Sequence, residues 1–465
     1  MAQLLDRRHT AMMLAVVFFA TFMDGVDGSI VNVALPNIGA DFGIDTATVS
    51  WTSIIYMMVL AGTLVAFARV AADKGVRKVM AGGLLVFTIG SLMCGLSPSF
   101  SILIASRAVQ AVGAGMMAAT GPMCCTEHLP PEKLGFGLSI VTIGASVGFA
   151  VGPALGGAIV EFVSWHWIFL INIPLGAVAI PLMLKAVPPG SKKNDSVKLD
   201  VLGTVLLFAS ITLVTFAIEV LSYSELRVVS AVSAIAGIIV LVLFVRTEKS
   251  CSAPLLNLGM FRDWQFTSIF LCLMMVNMIF MGMLYLLPFY GEICLDMSSA
   301  TVGLFLLISA VVTAVFGMPV AKLSDVKGRK AICVMAGLFA AAGFFLQAFF
   351  TRDMNPPILV VSLVLMGLSW ACVGGPMASR LVEHAGEERD MASSLTNEAY
   401  YIGGAIGTAM VAMLFTVFSA TDGIDIQNVS SSAFMDGFAP TAYIVVGISL
   451  LIAFLSLIVK DSKKE

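Results

Sequence analysis

Fourteen apolar stretches follow one another along this chain with only short polar breaks between them. About 20 apolar residues cross a bilayer core as a helix, and in lipid each helix satisfies its own backbone hydrogen bonds. An all-α membrane protein is therefore expected. The stretches run approximately Ala11–Val33, Trp51–Ala68, Val79–Leu96, Phe100–Cys124, Leu134–Val160, Trp167–Leu184, Val201–Val220 and Val228–Val245, then Phe266–Phe289, Val302–Val320, Ala331–Phe350, Pro357–Ser379, Met391–Phe418 and Phe438–Ile458. The first is too long for a signal-peptide core and no small-residue cleavage pattern follows it, so it reads as the first span. Charged residues make up 12% of the 465, against roughly 25% in soluble domains. The breaks leave no room for a soluble catalytic domain, and the sequence has no GxxxxGK[ST] loop, which argues against an enzyme and against direct ATP coupling.

The basic residues orient the spans. With a cytoplasmic N-terminus, all but three of the 26 Lys and Arg fall in cytoplasmic loops or at cytoplasmic ends. Arg227 and Arg352 face outward, and Arg107 lies within a span. This bias fits an even number of spans with both termini inside. A repeat is visible in two of the loops: Asp73-Lys-Gly-Val-Arg77-Lys78 after the second span and Asp325-Val-Lys-Gly328-Arg329-Lys330 after the tenth. A duplicated six-helix unit accounts for this if the seventh and eighth spans are an insert. The expected organisation is residues 1–190 as an N-terminal six-helix half, 191–262 as two inserted helices and 263–465 as a C-terminal six-helix half.

Charge inside the spans is the functional signal, because it is costly in hydrocarbon. Asp24 and Asp27 share one face of the first span. At about 1.5 Å per residue, Asp27 and Arg107 lie roughly 9 and 10 Å below the outer ends of their helices. That common depth predicts an ion pair, either purely structural or part of proton coupling. Asp24 is one turn deeper with no basic residue left for it. A carboxylate held so is poised to exchange protons; the alternative is a protonated acid bonded to backbone or to Thr21. Glu398, in Thr396-Asn397-Glu398-Ala-Tyr400-Tyr401, belongs to the opposite half, either in a central cavity or at its inner mouth. Glycines at 144, 148 and 152, followed by Pro153, Gly156 and Gly157, form a flat stripe that lets another helix backbone approach.

Four motifs in order resemble the fourteen-span drug:proton antiporters of the major facilitator superfamily. Asp27-Gly-Ser-Ile-Val-Asn32-Val-Ala-Leu-Pro36 is similar to their first-helix signature and Arg107-Ala-Val-Gln110 with Gly113 and Gly115 to their fourth-helix motif. Gly144-Ala-Ser-Val-Gly148 through Gly157 resembles the fifth-helix antiporter motif, and Trp165-His-Trp167-Ile-Phe-Leu-Ile-Asn172-Ile-Pro174 the approach to the sixth helix. The first cytoplasmic loop departs from the family pattern at Arg69, Ala71 and Val76, whereas Leu323 through Lys330 keeps it. The resemblance implies 6+2+6 helices in two pseudo-symmetric halves. It also implies cytoplasmic gate loops carrying Asp73, Arg77, Asp325, Gly328 and Arg329, and a leak-suppressing role for the glycine stripe.

The expected function is proton-coupled export of hydrophobic or cationic small molecules across the cell membrane by alternating access. Asp24, Asp27 and Arg107 would couple protons, and Glu398, Asn32, Gln110 and Tyr400 would line the substrate cavity. Met and Phe, at 28 and 31 residues, suit a cavity that re-packs around varied shapes. The alternative is a transporter of one specific solute, or a lipid-moving protein of the same fold. The eight cysteines and four histidines show no metal-ligand spacing. No cofactor, metal or nucleic acid is expected, and a monomer in the bilayer is.

Overall fold

A computed structural model describes residues 6–129, 131–187, 201–221, 223–250, 258–327, 329–350, 356–374, 376–384, 389–421, 424 and 428–458, with no strand among them. The helices are α1 (Arg7–Phe42), α2 (Thr46–Lys74), α3 (Val76–Gly95), α4 (Phe100–His128), α5 (Pro131–Phe162), α6 (Trp167–Leu170), α7 (Asn172–Ala186), α8 (Val201–Val220) and α9 (Arg227–Ser250). They continue as α10 (Trp264–Phe289), α11 (Ser299–Lys327), α12 (Arg329–Gln347), α13 (Pro356–Gly374), α14 (Pro376–His384), α15 (Arg389–Ser419) and α16 (Ser431–Ile458). Thirteen helices, counting continuous runs, are long and apolar enough to cross a membrane, and α8 carries a shorter apolar stretch, Leu202–Ile218. Together these correspond to the fourteen expected spans.

Helix boundaries follow local chemistry. Asp6, Asp45 and Asp263 cap α1, α2 and α10, each accepting a backbone N–H from the first turn, which satisfies a donor the helix itself cannot. Gly43 ends α1 at φ 62°, a left-handed conformation that glycine adopts without penalty. The sixth span is broken between α6 and α7, where Pro174 lacks the N–H that a continuous helix would use. The twelfth divides into α13 and α14, and Pro376 opens the second piece.

The two helix groups repeat one packing scheme. In the first bundle, α1 runs along α5, and α3 packs on α4 and α7; in the second, α10 runs along α15, and α12 packs on α13 and α16. The bundles meet through α5 against α11 and α2 against α15, an exchange-symmetric pair of seams. An even number of crossings brings Arg7 and Ile458 to one face, the terminal face; the opposite one is the distal face. Helix α8 packs on both α2 and α15 and so bridges the second seam, while α9 rests mainly on α8. On α2, a Cβ at Gly62 would fall 2.5 Å from the Phe208 ring of α8. Near the distal end, Trp51 and Phe216 rings lie 6.1 Å apart, and the Tyr223 hydroxyl donates to Asp45 at 3.1 Å. The outer side of α9 exposes Val228, Val232, Ile235 and Ile239, a stripe at helical spacing that suits lipid.

Candidate functional site

The glycine stripe sets how close the acids stand to the rest of the first bundle. A Cβ at Gly144 would meet Thr21 and, at 2.8 Å, the Phe18 carbonyl; at Gly148, the Phe22 carbonyl and, at 2.9 Å, the Val26 nitrogen. At Gly152 it would meet Ser29, and at Gly156 the Ile30 side chain at 2.6 Å. All of these neighbours lie on α1, which carries Asp24 and Asp27. The stripe then changes partner: Gly157 faces Ser299 and Ala300, and the Pro153 carbonyl faces Gly303, all on α11 of the other bundle. The motif thus holds one helix inside its bundle and one across the seam.

Asp27 and Arg107 sit in a buried polar layer. Arg107 Nη1 donates to Asp27 Oδ2 at 2.5 Å and to Gln110 Oε1 at 2.6 Å, and Nε donates to the Thr52 carbonyl at 3.0 Å. Gln110 Nε2 donates to Asp27 Oδ1 at 2.7 Å and to Ser91 Oγ at 2.8 Å. Residues 107, 110 and 113 share one face of α4. Gly90 admits the α4 backbone, since a Cβ there would fall 2.5 Å from Gln110 Cα. Gln110, expected in the substrate cavity, is fully buried instead, with its amide committed to this layer. Asn32 is likewise 3% exposed and accepts from Ser53 Oγ at 3.2 Å inside the first bundle.

Tyr56 joins this layer to Asp24. Its ring lies 4.2 Å from the Arg107 guanidinium, a cation–π distance, and its hydroxyl donates to Asp24 Oδ1 at 2.8 Å. The other oxygen, Oδ2, accepts from Tyr401 of the second bundle at 3.0 Å. Asp24 is therefore bonded to both bundles at mid-membrane. The expected alternative partner, Thr21, instead donates to the Val17 and Phe18 carbonyls of its own helix. An ionised carboxylate can accept from two phenols; a protonated one has a donor of its own and holds them less strongly.

Glu398 lies one turn from Tyr401, 2% exposed, and among the described residues neither carboxylate oxygen has a hydrogen-bond partner. Tyr400, near it, belongs to a run of rings that starts on α5 of the first bundle and continues through the second. Phe149 and Phe280 are 6.3 Å apart, Phe280 stacks on Trp370 at 4.3 Å, Trp370 meets Tyr400 at 6.2 Å, and Tyr400 meets Tyr401 at 4.9 Å. Aromatic faces beside uncompensated carboxylates suit a flat or cationic guest. Of the gate-loop residues, Arg77 donates to the Leu184 carbonyl at 2.8 Å. The side chains of Asp73, Asp325 and Arg329, and Gly328 itself, lie outside the described residues. Among the described residues no cluster of three or more His, Cys, Asp or Glu could hold a metal.

Sequence reasoning passed over Tyr56, Tyr401 and Glu292. Glu292 falls just beyond the expected ninth span, but a π-helical turn, Tyr290–Cys294, carries that span onward. The apolar Ile293 and Cys294 after it were the available signal.

The sequence model of the family described as Major Facilitator Superfamily matches residues 17–408. The chain belongs to the Major Facilitator Superfamily. It is 28% identical to the riboflavin transporter RibZ of Clostridioides difficile over 86% of this chain and 87% of that one. It is 30% identical to a multidrug resistance protein B homolog of Mycobacterium tuberculosis over 86% and 75%. A bacterial homolog of the human lysosomal transporter Spinster, in an inward-facing occupied conformation, shares the fold at a TM-score of 0.70 and 15% identity, with 98% and 97% covered. This superfamily member is thus a multi-pass membrane transporter and not an enzyme.

Proposed function

We propose that the protein is a proton-coupled antiporter that exports hydrophobic, chiefly cationic, small molecules across the cytoplasmic membrane by alternating access. One observation carries the reading: the Asp24 carboxylate is bonded at once to Tyr56 of the first bundle and Tyr401 of the second. A proton arriving there weakens a tie between the two moving bodies, so occupancy by a proton and the relative position of the bundles are linked. Glu398, buried and without a hydrogen-bond partner among the described residues, supplies the negative charge that a cationic guest would neutralise. Residues 1–190 and 263–465 are the rocking halves in this reading, 191–262 the insert, and a monomer is sufficient. The relative named as a multidrug resistance protein supports a broad substrate range. The ring series and the relative named as a riboflavin transporter favour a second reading, transport of one flat solute.

The test is flux in proteoliposomes with an imposed proton gradient, using cationic, neutral and anionic dyes and riboflavin. Asp24→Asn keeps size and hydrogen bonding but exchanges no proton. It should lose gradient-driven flux of every substrate while retaining binding. Glu398→Gln should weaken binding of strongly cationic dyes by roughly tenfold, about 1.4 kcal/mol, with neutral dyes less affected. Exchange of the two phenotypes would reverse the roles, and no effect from either would end the cavity reading. Flux of riboflavin alone would establish the second reading.

The proposed orientation puts the distal face outside. A cysteine introduced at the exposed Ser432 should react with an impermeant thiol reagent added to intact cells. Reaction only after the membrane is opened would invert the topology.

A further inference from the structure

The distal face is closed by a second set of cross-bundle bonds, well away from Asp24. Asn37, near the end of α1, donates to Glu292 at 3.4 Å and to Ser299 Oγ at 3.1 Å, and Ser299 donates to Glu292 Oε1 at 2.7 Å. Beside them the Ala300 N–H, at the start of α11, donates to Glu161 of α5 at 3.0 Å, and the Tyr285 hydroxyl of α10 donates to the Thr46 carbonyl. Each of these three ties joins one bundle to the other.

Glu292 differs from its neighbours in three ways. It stands in the π-helical turn Tyr290–Cys294, and such turns insert a residue into a helix and recur at functional positions. The turn directs its carboxylate back into the seam, where it is half-buried, whereas Glu161 is exposed. Its hydrogen-bond partners are an amide and a hydroxyl, both neutral. The other titratable groups of this distal region include Tyr290, Cys294 and Asp296 next to it in sequence, Tyr285 on α10, Asp436 on α16, Glu161 on α5, Asp41 on α1, Asp45 at the start of α2 and His166 before α6. Among the described residues, the side-chain hydrogen bonds to Glu292 come from Asn37 and Ser299. The charge on Glu292 is therefore held by donated hydrogen bonds, and one of its two donors belongs to the opposite bundle.

We propose that Glu292 is a proton-binding site of the distal gate: ionised, it holds the bundles together through Asn37, and protonated from the distal side it lets them part. Hydrogen bonds to an ionised carboxylate are roughly twice as strong as neutral ones. Proton uptake weakens the Asn37–Glu292 bond directly, and it weakens the Ser299–Glu292 bond that orients the Ser299 hydroxyl toward Asn37. Its place in a transport cycle rests on the proton-exchange reading above, in which opening this face gives outside protons a route toward Asp24. The response of the gate itself needs no substrate and no gradient, so it is measured separately from that reading.

The experiment places spin labels on cysteines introduced at Val163, exposed at the distal end of the first bundle, and at Ser432, exposed on the second, with Cys251 replaced by Ser. The distance between the labels is measured in nanodiscs in mildly alkaline and mildly acidic buffer. The parent should lengthen on acidification. Glu292→Gln, a neutral isostere of the protonated acid, should be long in both buffers. Asn37→Ala, which keeps the acid and removes the donor across the seam, should also be long in both. A parent distance that ignores pH, or a Glu292→Gln distance that follows pH as the parent's does, overturns the proposal. Proton-independent dye flux with a normal label response would end the antiport reading and leave the gate site standing.

Discussion

Arg107→Ala should abolish gradient-driven transport and markedly destabilise the purified protein. The guanidinium is 1% exposed and makes three hydrogen bonds, to Asp27, Gln110 and the Thr52 carbonyl, while lying over the Tyr56 ring. Alanine leaves Asp27 buried with an amide donor and no cation. Breaking a buried pair by removing one partner costs about 3–5 kcal/mol. The loss also reaches Asp24, because Tyr56 both supports the cation and donates to that acid. Arg107→Lys should recover much of the stability and little of the transport: one ammonium keeps the charge but cannot reach Asp27, Gln110 and Thr52 with the planar fork. Asp27→Asn combined with Arg107→Gln should recover stability with no flux, since neither charge is then stranded. Thermal unfolding and proteoliposome flux on the same preparations measure both effects. Full flux in Arg107→Ala would remove the pair from the mechanism.

Gly148→Val should prevent the first bundle from closing. A Cβ there already meets the Phe22 carbonyl and the Val26 nitrogen of α1, so both γ-methyls have to be placed by moving a backbone. Overpacking costs about 1–3 kcal/mol where side chains can adjust, and here they are not what is in the way. Displacing α1 also carries Asp24 and Asp27 off their partners. The expected result is loss of monodisperse protein, or recovery of protein without transport. Gly28→Ala is the control, because nothing lies within 4 Å of its Cβ position. Gly157→Val tests the division of the stripe. Its obstruction is on α11, so the first bundle should fold normally while the distal face fails to close, seen as a long Val163–Ser432 label distance in both buffers. Normal unfolding and flux in Gly148→Val would show that α1 and α5 do not need this approach.

The spans were legible because hydrocarbon imposes one solution on the backbone, and a run of apolar residues states it directly. Asp27 and Arg107 could be paired because an isolated cation in a span needs an acceptor, although the matched depths assumed a first span ending at Val33 and α1 runs on to Phe42. The partners of Asp24 could not. Tyr401 is 377 residues away, and a phenol in an apolar helix is indistinguishable by composition from an interfacial or packing residue. The partners of Gln110 were hidden for the opposite reason: a polar side chain at helix spacing from Arg107 fits a cavity wall and an ion-pair layer equally well until Ser91 and Asp27 are seen to use its amide. Glu292 was hidden by geometry, because a π turn prolongs a helix past the point where regular periodicity ends it.

Helix α8 adds a mechanical term to any motion between the bundles. It touches α2 on one side and α15 on the other, with the Phe208 ring seated over Gly62 and Tyr223 tied to Asp45. Among the described residues, neither α8 nor α9 packs against the opposite seam, α5 against α11. If the bundles rock, at least one of the two α8 surfaces has to slide, whereas the α5–α11 side can separate without friction against a third helix. The motion is therefore lopsided, with the bridged seam acting as the stiff edge and the free seam as the side of larger travel.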